Sequence, residues 1–548
     1  MKLYKISFLM IVAAFATASC NDIDEQNPEG GSITAAQSQE TNLAITSRTQ
    51  ATFTGMFTMM GQPHGCWPTG RNSSRADDFG FVMQAFSNDL EGADMSSANN
   101  DYNWFSSACE LSTRNANYAN PYIRYVMPYR QIGVANSIIA SFPETTTDSS
   151  SLNQIAQARA MRAFDYMSLA PYFQFGYAKA ADQPCVPILK AGTDYTNNPR
   201  ATVKEVYEYI LEDLNYAIEH LAGYNRGSDK TRIDQHVAYG LRARVNLIMG
   251  NYADAASDAA KALQGYTPAS ISEVSTPTFY NINDHNWIWG VNITPEMVQT
   301  ENDGNATSAS WICSFSGDGY SAATQSYAVI NQLLYDKIPA TDVRKGWWLD
   351  ADMHSPLLST ITWGTTTGDD IATLKIKDVK EPMLPYTNVK FGMKAGIGSV
   401  TNSNDFPLMR AEEMILIEVE GLAKSGKEGD ARTMLENFVK TYRDPSYTIP
   451  SSRQFADEIW FQRRVELWGE GFFTADAKRL GKPIVRFHGA NTCNFSDAFQ
   501  FNMAADDGWL NMRFPQTELD NNLGVVNNAD GKIPEAGQNP TLRDGVTD

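Results

Sequence analysis

Apolar residues return at steps of three and four over adjoining stretches, and this period constrains the architecture before anything else does. Thr202 stands three places before Glu205 as a capping box, after which Val203, Val206, Ile210, Leu214, Ile218 and Leu221 fall on one face of a helix. Ala238, Leu241, Val245 and Ile248 make a second stripe. Gly250 and Asn251 break it, and Tyr252, Ala255, Ala256, Ala259, Ala260 and Leu263 make a third. A helix with one apolar face is stable only against a neighbour, and so short a break leaves the second and third stripes little choice but an antiparallel pair. The alanines let the two backbones approach closely.

Residues 241–263 resemble a tetratricopeptide repeat, with Gly250 and Tyr252 in its turn region. A similar unit returns from Leu408 to Arg443, interrupted at Gly426 to Gly429. Further helices are expected over about 37–60, 122–141, 152–175 and 453–468. The segments 61–118, 266–404 and 481–548 are rich in Gly, Asn, Asp, Ser, Thr and aromatics without a sustained helical period, and they read as loops and short strands. The expected fold is mainly α: tetratricopeptide-like helix pairs form a scaffold at about 37–60, 122–265 and 408–480. The three loop-rich excursions make up a ligand face, and all of 37–548 is read as one interleaved body.

The N-terminus reads differently. Lys2 and Lys5 precede an apolar run from Ile6 to Ala16, of signal-peptide length and too short to span a bilayer. The run stops at Thr17-Ala18-Ser19-Cys20, which resembles a bacterial lipoprotein processing site with Thr17 where Leu is usual. The expectation is a signal peptide over 1–19, lipid on the Cys20 thiol, and a flexible tether over 20–36; ordinary small-residue cleavage is the alternative. The acidic cluster Asp22, Asp24 and Glu25 looks like the export tag of surface lipoproteins in the Bacteroidetes. No later segment has the length of a transmembrane helix, which leaves the lipid as the attachment to the membrane.

Charge narrows the partners. Lys and Arg number 44 against 63 Asp and Glu, a formal net charge of −19, so the average field repels a phosphate backbone and nucleic acid is not expected. No metalloprotease, nucleophile-elbow, phosphate-loop or dinucleotide signature is present. His64, His220, His236, His285, His354 and His488 lack metal-ligand spacing, and neither a metal nor a cofactor is expected. Once Cys20 is lipidated, Cys66, Cys109, Cys185, Cys313 and Cys493 read as buried free thiols. Asp506-Asp507-Gly508 reads as a turn rather than a calcium loop.

A sugar ring carries hydroxyls at its rim and C–H groups on its faces, so its site needs flat apolar platforms beside Asn, Asp or Arg. The loop segments contain both, in Asp101-Tyr102-Asn103-Trp104, in Asn286-Trp287-Ile288-Trp289, at Trp311, and at Trp347-Trp348 beside Arg344. Any one of these rings alone reads as burial against the scaffold, but taken together they are expected to offer flat faces to solvent, whereas Trp460 and Trp468, inside a predicted helix, are assigned to packing.

Several stretches are similar to the SusD/RagB family of outer-membrane lipoproteins: Tyr129 to Asn136 with its Ala-Asn pair, Ala158 to Tyr166, Arg200-Ala201-Thr202 with Val206-Tyr207, and Arg410-Ala411-Glu412 with Glu420-Gly421. Arg463-Arg464-Val465-Glu466-Leu467 before Gly469-Glu470-Gly471, and Phe514 to Glu518 with Asn521, extend the likeness to the C-terminal end. Phe473 and Ala477 depart from the family pattern, which often has Arg and Leu there. The resemblance implies a non-catalytic protein that captures oligosaccharides on the extracellular face and delivers them to a SusC-like TonB-dependent transporter in the outer membrane. A peptide-binding or purely structural lid of that transporter is the alternative, and a glycoside hydrolase a more distant one. It brings forward Asp78, Asp101, Trp104, Trp289 and Trp311 as ligand-binding residues.

Overall fold

The computed structural model describes residues 41, 46–61, 80–97, 104–190, 193–300, 311–317, 319, 325–373, 381–529 and 531–548, apart from the side chains at 46, 104 and 298–300. The leader and tether at 1–36, with Cys20, lie outside them. The longer helices are α1 (Thr46–Thr58), α2 (Phe81–Leu90), α3 (Trp104–Glu110), α4 (Ala119–Ala140), α5 (Ser149–Phe173) and α6 (Val203–His220). They continue as α7 (Gln235–Met249), α8 (Tyr252–Leu263), α9 (Ala411–Lys424), α10 (Glu428–Tyr442), α11 (Phe455–Glu466) and α12 (Phe473–Leu480).

The fold is mainly α, as expected. Each helix from α4 to α10 packs on the next in an unbroken series, and α11 returns onto α9. Local chemistry explains why. Thr202 and Glu205 form the capping box of α6 reciprocally, Asp234 caps α7 by accepting from Val237 N, and Gly250 at φ +83° ends it. Val206, Ile210, Leu214, Ala238, Leu241 and Ala259 are all buried. The alanine face of α8 meets α9 at Gly421, where an added Cβ would lie 2.6 Å from Tyr252 O and 2.9 Å from Ala256 Cβ. Arginine pairs fix the helices in register: Arg162 grips Asp213 at 2.7 and 2.8 Å between α5 and α6. Arg242 grips Asp258 between α7 and α8, and Arg244 grips Glu413 at 2.7 Å twice between α7 and α9.

Two departures from the sequence expectation are instructive. Residues 408–410, read as opening the C-terminal helical unit, belong to β6 (Phe406–Arg410), which pairs antiparallel with β2 (Trp287–Val291). All ten residues of these two strands are buried, so neither alternates in the way that reveals a half-exposed strand. Within 61–118, read as loops, α2 and α3 are helices. In α2 nearly every side chain from Val82 to Leu90 is buried, and its N-terminal Gly80, at φ +71°, supplies no side-chain cap; both usual signs of a helix are missing. Further strand pairs are β1 (Met95–Ser96) with β3 (Val329–Ile330), and β4 (Thr362–Trp363) with β5 (Thr366–Thr367).

Buried ion pairs join the central excursion to the frame. Glu466, at the end of α11, accepts from Arg443 at 2.8 Å and contacts Arg344 and Arg410 at 3.3 Å. Glu412 pairs with Arg410 and Arg443, Asp342 with Arg344, and Glu470 with Arg410 and Lys390. All eight charged side chains are buried, and the four cations match the four anions. Arg486 is held otherwise: its guanidinium donates to the carbonyls of Leu90, Glu91, Gly92, Cys109 and Phe499. Burial accordingly pulls its pKa down to about 10.

Candidate functional site

Of the residues singled out by sequence, Asp78 and Asp101 lie outside the described residues. Trp104 opens α3, its side chain also outside them. Trp289 and Trp311 are not solvent-facing platforms: they are 1% and 5% exposed. Trp289 meets Phe164 edge-on at 5.0 Å and its indole donates to Thr231 O at 3.0 Å. Trp311 packs edge-on against Phe105 at 4.4 Å, which places it beside the start of α3, next in the chain to Trp104. Every tryptophan whose side chain is described is buried, Trp287, Trp347, Trp348, Trp363 and Trp509 included, as are the helical Trp460 and Trp468. The reason is physical. Excursions without helical periodicity still need a core, and indoles build it by burying a large ring; some also donate their N–H to a backbone carbonyl, as Trp347 does to Val274 and Trp509 to Leu111.

Among the described residues, the exposed large aromatics are Tyr118 and Tyr195, at 47% and 65%. Tyr118 stands at the foot of α4, and the three residues before it line an open groove of about 840 Å3. One wall is Asn115-Ala116-Asn117; the other is Lys532, Ile533, Pro534 and Glu535, with Arg513, Asn527 and Trp509 also lining it. The volume is within the usual range for ligand pockets, roughly 300–1,000 Å3.

The walls are tied together across the chain. Ala116 O accepts from Gln516 N at 3.0 Å and Arg114 O from Arg513 N at 3.1 Å. Asn527 Oδ1 accepts from Phe514 N at 2.7 Å, and Arg513 donates to Ala529 O at 2.7 Å. Beneath them Arg114 bridges Glu91 and Leu510 O, both at 2.7 Å. Burial would push the Glu91 carboxyl up, but Arg114 and Arg124 outweigh it and hold its pKa below the ordinary value. The groove is therefore preformed on backbone and buried charge.

The exposed side chains are those a polyol needs. Asparagine amides both donate and accept, Lys532 donates, and Glu535 accepts; Lys532 and Glu535 form an exposed pair at 2.6 Å. Tyr118, next in the chain to Asn117, is an exposed ring. Among the described residues that line the groove, Glu535 is the one carboxylate, whereas glycoside cleavage takes a pair. Its pKa is lowered by the Lys532 hydrogen bond and charge, the wrong direction for a general acid. Sequence reasoning placed 115–118 and 527–535 on the ligand face but passed over the Asn-Ala-Asn-Tyr run in favour of tryptophans.

Among the described residues no group of His, Cys, Asp and Glu could hold a metal ion. Cys109, Cys185, Cys313 and Cys493 form no disulfide among the described residues; burial pushes the Cys109 and Cys493 thiols up to about 11 and those of Cys185 and Cys313 to about 12, so none is a thiolate nucleophile at neutral pH. Asp507 accepts from Trp509 N and makes a turn, as expected of that acidic run.

Two family models match the chain. One, described as "Starch-binding associating with outer membrane", covers residues 76–247, and the SusD family model covers residues 373–531. The chain belongs to the SusD/RagB family. Solved SusD structures share its fold over almost their whole length. A SusD-like carbohydrate binding protein from Bacteroides vulgatus is 21% identical, with 88% of this chain and 97% of that one covered and a TM-score of 0.69. A SusD superfamily protein from Bacteroides thetaiotaomicron is 20% identical, with 88% and 99% covered and a TM-score of 0.64. A laminarin binding SusD-like protein is 19% identical, with 88% and 98% covered and a TM-score of 0.59. At such identities the likeness speaks for the SusD fold. A search of curated proteins by sequence finds no match.

Proposed function

We propose that this SusD family member is a non-catalytic glycan-binding lipoprotein of the outer cell surface, which passes oligosaccharides to a TonB-dependent transporter. The observation that carries the reading is the preformed, Asn-lined groove beside Tyr118, on a chain of a family that includes starch- and laminarin-binding members. The groove offers a sugar hydrogen bonds at Asn115, Asn117, Lys532 and Glu535, and the exposed Tyr118, next in the chain to Asn117, is proposed to add a ring face. Asp78, Asp101 and Trp104, brought forward by the family resemblance, are proposed to extend the ligand face.

The test compares glycan affinities of the mature protein with those of Tyr118→Ala and Trp104→Ala, against starch and laminarin among other polysaccharides. Removing one stacking ring is expected to weaken binding about tenfold. Loss in Tyr118→Ala supports the groove; unchanged affinity there, with loss in Trp104→Ala, transfers recognition wholly to the α3 side. Bound peptides without glycan affinity would favour the peptide-gathering alternative.

No helix of the described residues is long and apolar enough to cross a membrane. The proposed anchor is lipid on Cys20. Cys20→Ala is expected to release the protein from the membrane fraction, with glycan binding by the released protein unchanged. Retention in the membrane fraction would show another mode of attachment.

A further inference from the structure

A second concavity lies away from the proposed glycan groove. It is a cavity of about 110 Å3 between α5, α7, β6 with α9, and the start of α12. Its lining is mostly apolar, with Phe81, Phe164, Tyr172, Leu247, Ile417 and Phe472 among its walls. The charged groups along it are already matched. Glu413 is held by Arg244 at 2.7 Å, Glu470 by Arg410 at 2.8 Å and Lys390 at 2.9 Å, and Asp476 by Arg463 and Arg479 at 2.8 Å each.

One polar group is left over. Arg463 is only 3% exposed, and its Nη1 is buried with no hydrogen-bond partner among the described residues. A buried donor without an acceptor costs free energy, more so on a charged group. Arg463 also borders a neighbouring void of about 20 Å3, room for a water and no more. The 110 Å3 cavity can take something larger: a dry cavity of about 150 Å3 accommodates benzene.

We propose that this cavity binds a small neutral, mainly apolar molecule, about the size of a five- or six-membered ring, carrying one acceptor oxygen that meets Arg463 Nη1. The acceptor follows from the unmatched group being a donor. Neutrality follows from the lining carboxylates and cations pairing with one another, so that an added charge would enter a low-dielectric space without a partner. This site is independent of glycan recognition.

The test uses the full mature protein with two ligands of the same ring size, cyclopentanone and cyclopentane, titrated by ligand-observed nuclear magnetic resonance. Cyclopentanone is expected to bind about tenfold more tightly, the difference a hydrogen bond to a charged donor makes. Ala475→Leu, on the cavity wall and outside every ion pair named above, is expected to abolish binding of both by filling the space. Arg463→Lys keeps a cation opposite Asp476 but has no Nη1, and should bring cyclopentanone down to the affinity of cyclopentane. Equal affinities for the two ligands in the unaltered protein, binding unchanged in Ala475→Leu, or a cyclopentanone-soaked crystal showing ordered water only in the cavity would each overturn the proposal.

Discussion

Replacing Glu466 by alanine is expected to destabilise the protein by about 3–5 kcal/mol, the typical cost of leaving buried charges without their partner. Glu466 is the common partner of Arg344, Arg410 and Arg443, all of them buried. Arg443 lies just past α10, Arg410 closes β6, and Arg344 comes from the central excursion. Losing the carboxylate therefore loosens the seam between excursion and frame. The pH dependence follows in sign. Burial pushes the Glu466 carboxyl up, but Arg443, Arg410 and Arg344 overcome it and hold its pKa far below the ordinary 4.5. Its contribution is thus present above pH ~4.5 and lost as pH falls further, because the unfolded chain takes up the proton first. Urea unfolding at neutral and acid pH measures both effects. The exposed pair Arg432 with Glu428 on α10 is the contrast; Glu428→Ala should cost no more than about 0.5 kcal/mol. A comparably small loss for Glu466→Ala would mean that the seam is not held by these charges.

Gly471→Ala is expected to cost about 2–4 kcal/mol, from left-handed strain and overpacking together. Gly471 sits at φ +89°, and an added Cβ would fall 2.6 Å from Ala85 Cα in α2. The close approach serves Asp89, whose carboxylate accepts from Gly469 N at 2.9 Å, Gly471 N at 3.0 Å and Phe473 N at 3.2 Å. Burial still pushes the Asp89 pKa up to about 7, against those backbone donors. So the loop between α11 and α12 is wrapped around the end of α2, and a methyl group at 471 forces them apart. Gly429, inside α10 with nothing near its Cβ position, should respond oppositely: Gly429→Ala is expected to stabilise by about 0.5–1 kcal/mol. Thermal unfolding of the two variants checks both signs, and similar shifts for both would contradict the packing argument.

The frame was legible in the sequence because helices with one wet face announce themselves. α6, α7 and α8 were readable from Thr202 to Leu263 by their apolar period, by the Thr202 and Glu205 caps, and by the Gly250 break. α2 was not, since its burial on nearly all sides removes the period and Gly80 offers no cap. β6 was merged with α9 for a related reason, as its five residues are all buried and simply extend the apolar run. The proposed ligand face is a matter of regions only. Aromatic rings in Asn-rich loops pointed to a sugar site, yet Trp289 and Trp311 are interior, because an irregular layer spends its largest rings on its own core. Exposure of a single tyrosine such as Tyr118 depends on the chain crossing at 513–516, some four hundred residues away, and no local pattern records that.

Native affinity electrophoresis of the mature protein, through gels containing a panel of polysaccharides, asks whether the preformed groove holds carbohydrate. Retardation by at least one of them is expected, reduced in Tyr118→Ala. Migration unchanged by every polysaccharide, in protein that still folds, would overturn the reading.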